Sequence, residues 1–278
     1  MQLAMEAPTS YLPYISLLGD FDWVLTNVAL KDQKYLNFYK EQKKQERVVV
    51  VDSGVNEEGF PRSIKEMDKI VREIDADFII PPDVLGNKKK TLELLNDSIV
   101  LWGSEKLIPV LQGKDIPDVE DCLYFMRIRG FTKFCVPYDI TNCDALSREK
   151  ISLVDHAHTR YRVVKFIVRT YPDVEGLHLL GLTTLEEVVW YLREGLKIVS
   201  IDTGSPVLNA LHTKRFGVDN LVPKGLYLDY EEKVLFPRDL DRLSRCYWNI
   251  AVLRRVMSSG SEFRNQIFVK ERAKNVVG

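Results

Sequence analysis

Five side chains that could do chemistry follow apolar runs in this sequence: Asp52, Asp83, Gln112, Asp139 and Asp202. The runs are VVVVD, FIIPPD, LIPVLQ, FCVPYD and IVSID, each of the kind that forms a strand buried on both faces. Two or three carboxylates brought to one place permit displacement at the anomeric carbon of a sugar. One serves as nucleophile. Another, held protonated by burial or by its neighbours, serves as general acid. The pair suits a transition state with oxocarbenium character. A third carboxylate can accept from the N1–H and exocyclic amine of a guanine-like base, and Gln112 can donate to its O6. These residues therefore point to a glycosidase or to an enzyme that exchanges a nucleobase. Taken singly, an Asp after a strand is most simply the N-cap of the next helix. Polar ends on several buried strands favour a shared site.

Convergence requires parallel strands. The apolar runs place strands at about 22–28, 47–52, 77–82, 107–112, 133–138, 176–181 and 198–202, with an eighth near 221–229. Helical patterns lie between them. In SIKEMDKIVREID, Ile64, Met67, Ile70, Val71 and Ile74 form one stripe. The early intervals are roughly thirty residues, the size of a βα unit. Seven or eight such units predict an α/β fold of the (β/α)8 TIM-barrel type, whose carboxyl strand ends share one face. An open doubly wound sheet fits less well, because no G-x-G-x-x-G or Walker A pattern is present. The expectation is one barrel domain over 1–278, with 237–278 forming a C-terminal helical extension and basic tail.

The bulk properties agree with a globular chain. Apolar residues make up 45% and charged residues 28%, and the net charge is −1, so no global polycation is present. The N-terminus lacks a basic segment followed by a long apolar one, and no run approaches a membrane span. A cytoplasmic protein is expected, with no membrane partner. Cys122, Cys135, Cys143 and Cys246 are scattered, without C-x-x-C, and read as reduced thiols rather than a zinc site.

DSG at 52–54, PPD at 81–83, QG at 112–113, HLLGL at 178–182 and the Asp of SIDTG at 202 stand in order. Together they resemble the motifs of the tRNA-guanine transglycosylase superfamily, over about 20–215. The combination looks most like the DpdA-type DNA-guanine transglycosylases of 7-deazaguanine DNA modification in phage and bacteria. The resemblance implies a (β/α)8 barrel that removes guanine through a covalent Asp–sugar link and inserts a 7-deazaguanine such as preQ0, without a cofactor. By that resemblance Asp202 is the nucleophile and Asp52, beside Ser53, the general acid/base. Asp83 and Gln112 would recognise the base, with Gly113 giving backbone access to the ring. Val136 and Tyr138 would wall the 7-substituent, and His178 and Gly181 the far side.

Two departures weaken a tRNA assignment. DSGVNEEG stands where the tRNA enzymes carry D-S-G-G-[FY]-Q, and only Cys246 follows Asp202 where they carry a zinc site. The expectation is therefore no zinc subdomain and no metal. For nucleic-acid contact the candidates are Lys88, Lys89, Lys90, Arg160, Arg162, Lys214 and Arg215, with Arg238 and the C-terminal arginines. His156 and His158 read as an exposed pair, and the four tryptophans as packing residues. Phe60 fits a base-stacking role or a core role equally. Reaching a base in duplex DNA requires flipping it or a partner protein that opens the duplex. The alternatives are the same chemistry on tRNA, a retaining nucleosidase or glycosidase, and a non-catalytic nucleic-acid-binding subunit.

Overall fold

A computed structural model describes residues 1–54, 60–138, 140, 153–182, 184–217, 228–232 and 239–259. The chain is a mixed α/β protein in which every pairing among the described strands is parallel. The described strands are β1 (Gln2–Met5), β2 (Asp22–Leu25), β3 (Val49–Asp52), β4 (Phe78–Ile79), β5 (Lys133–Val136), β6 (Gly176–Leu179) and β7 (Ile198–Thr203). They form two sheets, ordered β1-β7-β6-β5 and β2-β3-β4.

Isolated parallel bridges join the two sheets at both margins. Ala4 pairs with Phe21 on one side. On the other, Ile79 pairs with Leu107 and Val110 with Cys135. The 107–111 segment thus lies between β4 and β5, with Ile108 N–H donating to Ile79 at 3.0 Å and Leu111 N–H to Cys135 at 2.9 Å.

Strand burial follows from residue type. Val49, Val50 and Val51 have no exposed surface. Burying each contributes about 1.5–3 kcal/mol. β-Branched side chains suit a strand covered on both faces. Helices cover the outside. The expected stripe of SIKEMDKIVREID is the helix Ile64–Ile74, with Met67, Ile70, Val71 and Ile74 buried. Ser63 and Glu66 close a capping box at its start. The C-terminal extension is the helix Leu240–Ser258. The basic tail beyond 259 lies outside the described residues, as do Asp139, Cys143 and Arg238.

Several strand expectations need correction: the 107–112 run carries only isolated bridges at Leu107 and Val110, and the 77–82 strand narrows to Phe78–Ile79. The series begins earlier than expected, with β1 at the chain start, paired along β7 from Gln2↔Ser200 to Met5↔Thr203. The 22–28 strand stops at Leu25, and Thr26–Ala29 turns helical. The eighth strand expected near 221–229 falls mostly outside the described residues; Leu228 and Asp229 carry no strand. β1 escaped notice because four residues are too few to show an alternating period.

Leu3 on β1 is fully buried. Its place predicts that Leu3→Ala destabilises the chain by about 2–5 kcal/mol. Urea denaturation checks this, and a loss below about 1 kcal/mol would show that β1 is not integral to the core.

Candidate active site

Because the strands are parallel, their carboxyl ends lie on one side of the molecule. Asp202 sits near the end of β7 and is almost fully buried, at 4% exposure. Burial lifts its carboxyl pKa to about 6. His178 Nε2 lies 2.9 Å from Asp202 Oδ1, and the Gly181 N–H donates to both carboxylate oxygens, at 3.2 and 3.1 Å. Gly181 has φ +64°, a backbone conformation that glycine adopts without strain. That conformation aims its N–H at the carboxylate.

His178 on β6 is fully buried. Burial first, then the charge of Arg160, lowers its pKa to about 3, so the imidazole is neutral near pH 7. Its contact with Asp202 is accordingly a hydrogen bond and not an ion pair. A carboxylate only accepts, so Nε2 carries the proton and Nδ1 accepts from the Ser200 hydroxyl at 2.8 Å. Trp23 stacks on the ring at 4.8 Å and fixes its plane.

The loop that bears Gly181 is held from behind by Arg160. This residue, expected on a DNA-facing groove, is fully buried, and that expectation is corrected here. Its guanidinium grips Glu187 bidentately, at 2.7 and 2.8 Å, and donates to the carbonyls of Leu180 and Gly181. Tyr191 donates to Glu187 at 2.6 Å. In the sequence RYRVVK an arginine looks basic and surface-bound; its partner lies 27 residues away and is brought in only by folding.

Asp52 ends β3 and is half-buried, with Ser53 fully buried beside it. Thr26 Oγ1 donates to the Asp52 carbonyl at 2.6 Å, and Gly54 N–H donates to Asp52 Oδ2 at 3.2 Å. These bonds fix the strand end and its carboxylate. Asp83 lies beyond β4 at 2% exposure, and burial raises its pKa to about 6. Gln112 Nε2 donates to Asp83 Oδ2 at 2.6 Å, and its Oε1 accepts from Gly86 N–H at 2.9 Å. The amide orientation is thereby set, Nε2 toward Asp83 and Oε1 toward Gly86, with a second N–H on Nε2.

Cys135, buried on β5, ties the three carboxylates together. Its thiol is pushed well up, first by burial and then by the charges of Asp52, Asp202 and Asp83. Carboxylates from β3, β7 and the segment beyond β4 thus act on one sulfur.

Gly113 has a packing reason for lacking a side chain. A Cβ there would lie 2.7 Å from Val119 N, within the helix Ile116–Arg127. Val136 is fully buried at the end of β5. Tyr138 is partly exposed, stacks on His156 at 5.1 Å and lies beneath the Arg160 guanidinium. His156 is therefore inside, at 4% exposure, while His158 is exposed, which corrects the expected exposed pair. Residues two apart on a helix point to opposite sides.

The basic residues divide. Lys88 is engaged by Asp118 and Asp121, both at 2.8 Å. Lys90 pairs with Glu93 at 3.0 Å. Lys89, Arg162 and Arg215 are exposed and Lys214 is half-buried. Lys214 and Arg215 follow the helix Ser205–Leu211, which leads away from Asp202 by about 10 Å. Phe60 is 57% exposed, which removes its core reading, and Trp248 is 49% exposed, against the expected packing role.

Sequence reasoning missed Glu6. It follows β1, its N–H donates to Thr203 at 3.0 Å, and its carboxyl hydrogen-bonds Asp202. The signal was present: QLAM then Glu is again an apolar run closed by a carboxylate. Among the described residues, no group of three or more His, Cys, Asp or Glu could hold a metal ion, and no helix is long and apolar enough to cross a membrane. No model of a known protein family matches this sequence, and no curated protein does either.

Two outcomes follow. Arg160→Met leaves Glu187 buried without its counter-charge and should cost about 3–5 kcal/mol, much of it recovered by adding Glu187→Leu. Urea titrations of both variants check this; equal loss in the two would refute the pairing argument. Asp83 has a folded pKa, about 6, above its unfolded one. The folded state therefore binds more protons between the two values, and stability falls as pH rises through that window. Asp83→Asn should raise the melting temperature at pH 7.5 and leave it nearly unchanged at pH 4. A gain of the same size at both pH values would rule out the burial argument.

Proposed function

We propose that the chain is a (β/α)8-barrel pentosyltransferase that exchanges guanine in DNA for a 7-deazaguanine such as preQ0. The bridges Ala4↔Phe21, Ile79↔Leu107 and Val110↔Cys135 support the closed-barrel reading, since they link the margins of the two sheets. The observation that carries the chemistry is the hold on Asp202: a buried carboxylate, fixed by a neutral imidazole and a backbone N–H.

In this reading Asp202 attacks the deoxyribose anomeric carbon as the base departs. The bond from carbon to base nitrogen breaks, its electron pair stays on the base, and Asp52 supplies the proton that nitrogen takes up. Asp83 Oδ1 and the remaining Gln112 N–H address the base edge, and Tyr138 and Gly181 stand beside it. The incoming 7-deazaguanine gives its proton to Asp52 and displaces Asp202. Hydrogen-bond donors already aimed at Asp202 also steady the carboxylate when it leaves again. Lys89, Lys90 and Arg162 are the candidates for phosphate contact, and a duplex-opening protein is the expected partner. The cytoplasm, that of the host if phage-encoded, is the proposed location.

The test is a base-exchange assay with radiolabelled preQ0 and duplex DNA, single-stranded DNA or tRNA. Label should enter DNA, and Asp202→Asn should reduce incorporation about a thousandfold or more. Asp52→Asn should lower it about a hundredfold or more. Incorporation into tRNA alone would move the substrate to RNA. Release of guanine to water without incorporation would indicate a nucleosidase. Label that persists in Asp202→Asn would sink the assigned nucleophile.

A further inference from the structure

The Glu6–Asp202 contact joins two carboxyl groups in a place with little water. β1 and β7 run side by side, Ala4 opposite Asp202 and Met5 opposite Thr203. The Glu6 N–H donates to the Thr203 carbonyl at 3.0 Å, which carries the Glu6 side chain over the end of β7. Glu6 is half-buried as a residue, with its carboxyl among buried groups. There it bonds Asp202, and Tyr230 Oη donates to its Oε2 at 2.7 Å. Two carboxylates cannot hydrogen-bond each other; one of them must be the donor.

Which one holds the proton follows from the surroundings. Asp202 accepts from the Gly181 N–H and from His178, and the Arg160 charge acts on it from the helix Leu153–Thr170. All three favour its ionised form. Glu6 has one such donor, Tyr230. The Asp202 charge opposes its ionisation directly, and Tyr39, buried on the helix Gln33–Lys44 and held neutral, offers it no counter-charge. The Cys135 thiol, facing Asp202 from β5, stays neutral. Burial followed by Asp202 holds the Glu6 carboxyl well above the usual range.

We infer that Glu6 is the proton-holding partner of Asp202: the pair carries one proton, on Glu6, and so keeps a buried Asp202 anionic. Its role in catalysis rests on the reading of Asp202 as nucleophile. When Asp202 bonds the anomeric carbon, the Glu6 proton stays in place and its bond turns to the ester oxygen. When that bond breaks again, the same proton meets the returning carboxylate. The singly protonated pair is the working form, so activity should fall both below the Asp202 pKa, about 6, and above that of Glu6.

Carboxyl carbon NMR on the labelled full chain tests the pair without reference to any reaction. In the wild type the Glu6 signal should titrate well above the usual glutamate range. In Asp202→Asn it should fall by about one pH unit or more, because the adjacent charge is gone. A Glu6 that titrates in the ordinary range, or is unmoved in Asp202→Asn, would overturn the shared proton. Glu6→Gln keeps a donor but cannot ionise, so the Asp202 carboxyl signal should lose the second, alkaline step that Glu6 ionisation imposes on it in the wild type; a step that persists would equally overturn the inference. Absence of exchange in every polymer, with the NMR behaviour present, would count against the transglycosylase reading and for the pair.

Discussion

The site depends on the buried Arg160–Glu187 pair. Replacing such a pair with apolar residues often does not reduce stability, so its use has to be sought elsewhere. Here it is positional. Arg160 spends its remaining donors on the carbonyls of Leu180 and Gly181. Those carbonyls belong to the turn whose Gly181 N–H meets both oxygens of Asp202. The chain Glu187, Arg160, Gly181, Asp202 runs from an outer helix to the nucleophile candidate by hydrogen bonds alone. Each link is buried or nearly so, and each strengthens in a low-dielectric setting.

A second principle runs through the site: its acids are held against their preference. Asp83 and Asp202 are both lifted to about 6 by burial. A carboxylate in water would cost nothing of the kind. Carboxyls lifted by burial are concentrated at functional sites, where such a cost is offset by what the group does. The opposite treatment of His178, kept neutral, gives the cluster a donor with no charge of its own.

Much of this was legible in the sequence, and the limits have physical causes. Buried strands of Val and Ile announce themselves by composition, and a polar residue at their ends is visible at once, so Asp52, Asp83, Gln112 and Asp202 could be named. The helix Ile64–Ile74 was readable from its stripe and its capping residue. Glu6 was not named, because a four-residue strand at the chain start has neither period nor preceding helix. Arg160 was misjudged because its charge is cancelled by a residue distant in sequence. His156 was misjudged because helix rotation, and not local composition, decides which of two neighbouring histidines turns inward.

The placement of Cys135 has a consequence for redox chemistry. Oxidants and alkylating reagents attack thiolates, and a thiolate forms readily only beside positive charge. This sulfur sits among three carboxylates instead, with no exposed surface, and donates weakly to the Ile108 carbonyl. Burial first, and the negative field second, thus keep this cysteine as the neutral thiol, the form that slides least readily toward sulfenic and sulfinic acid.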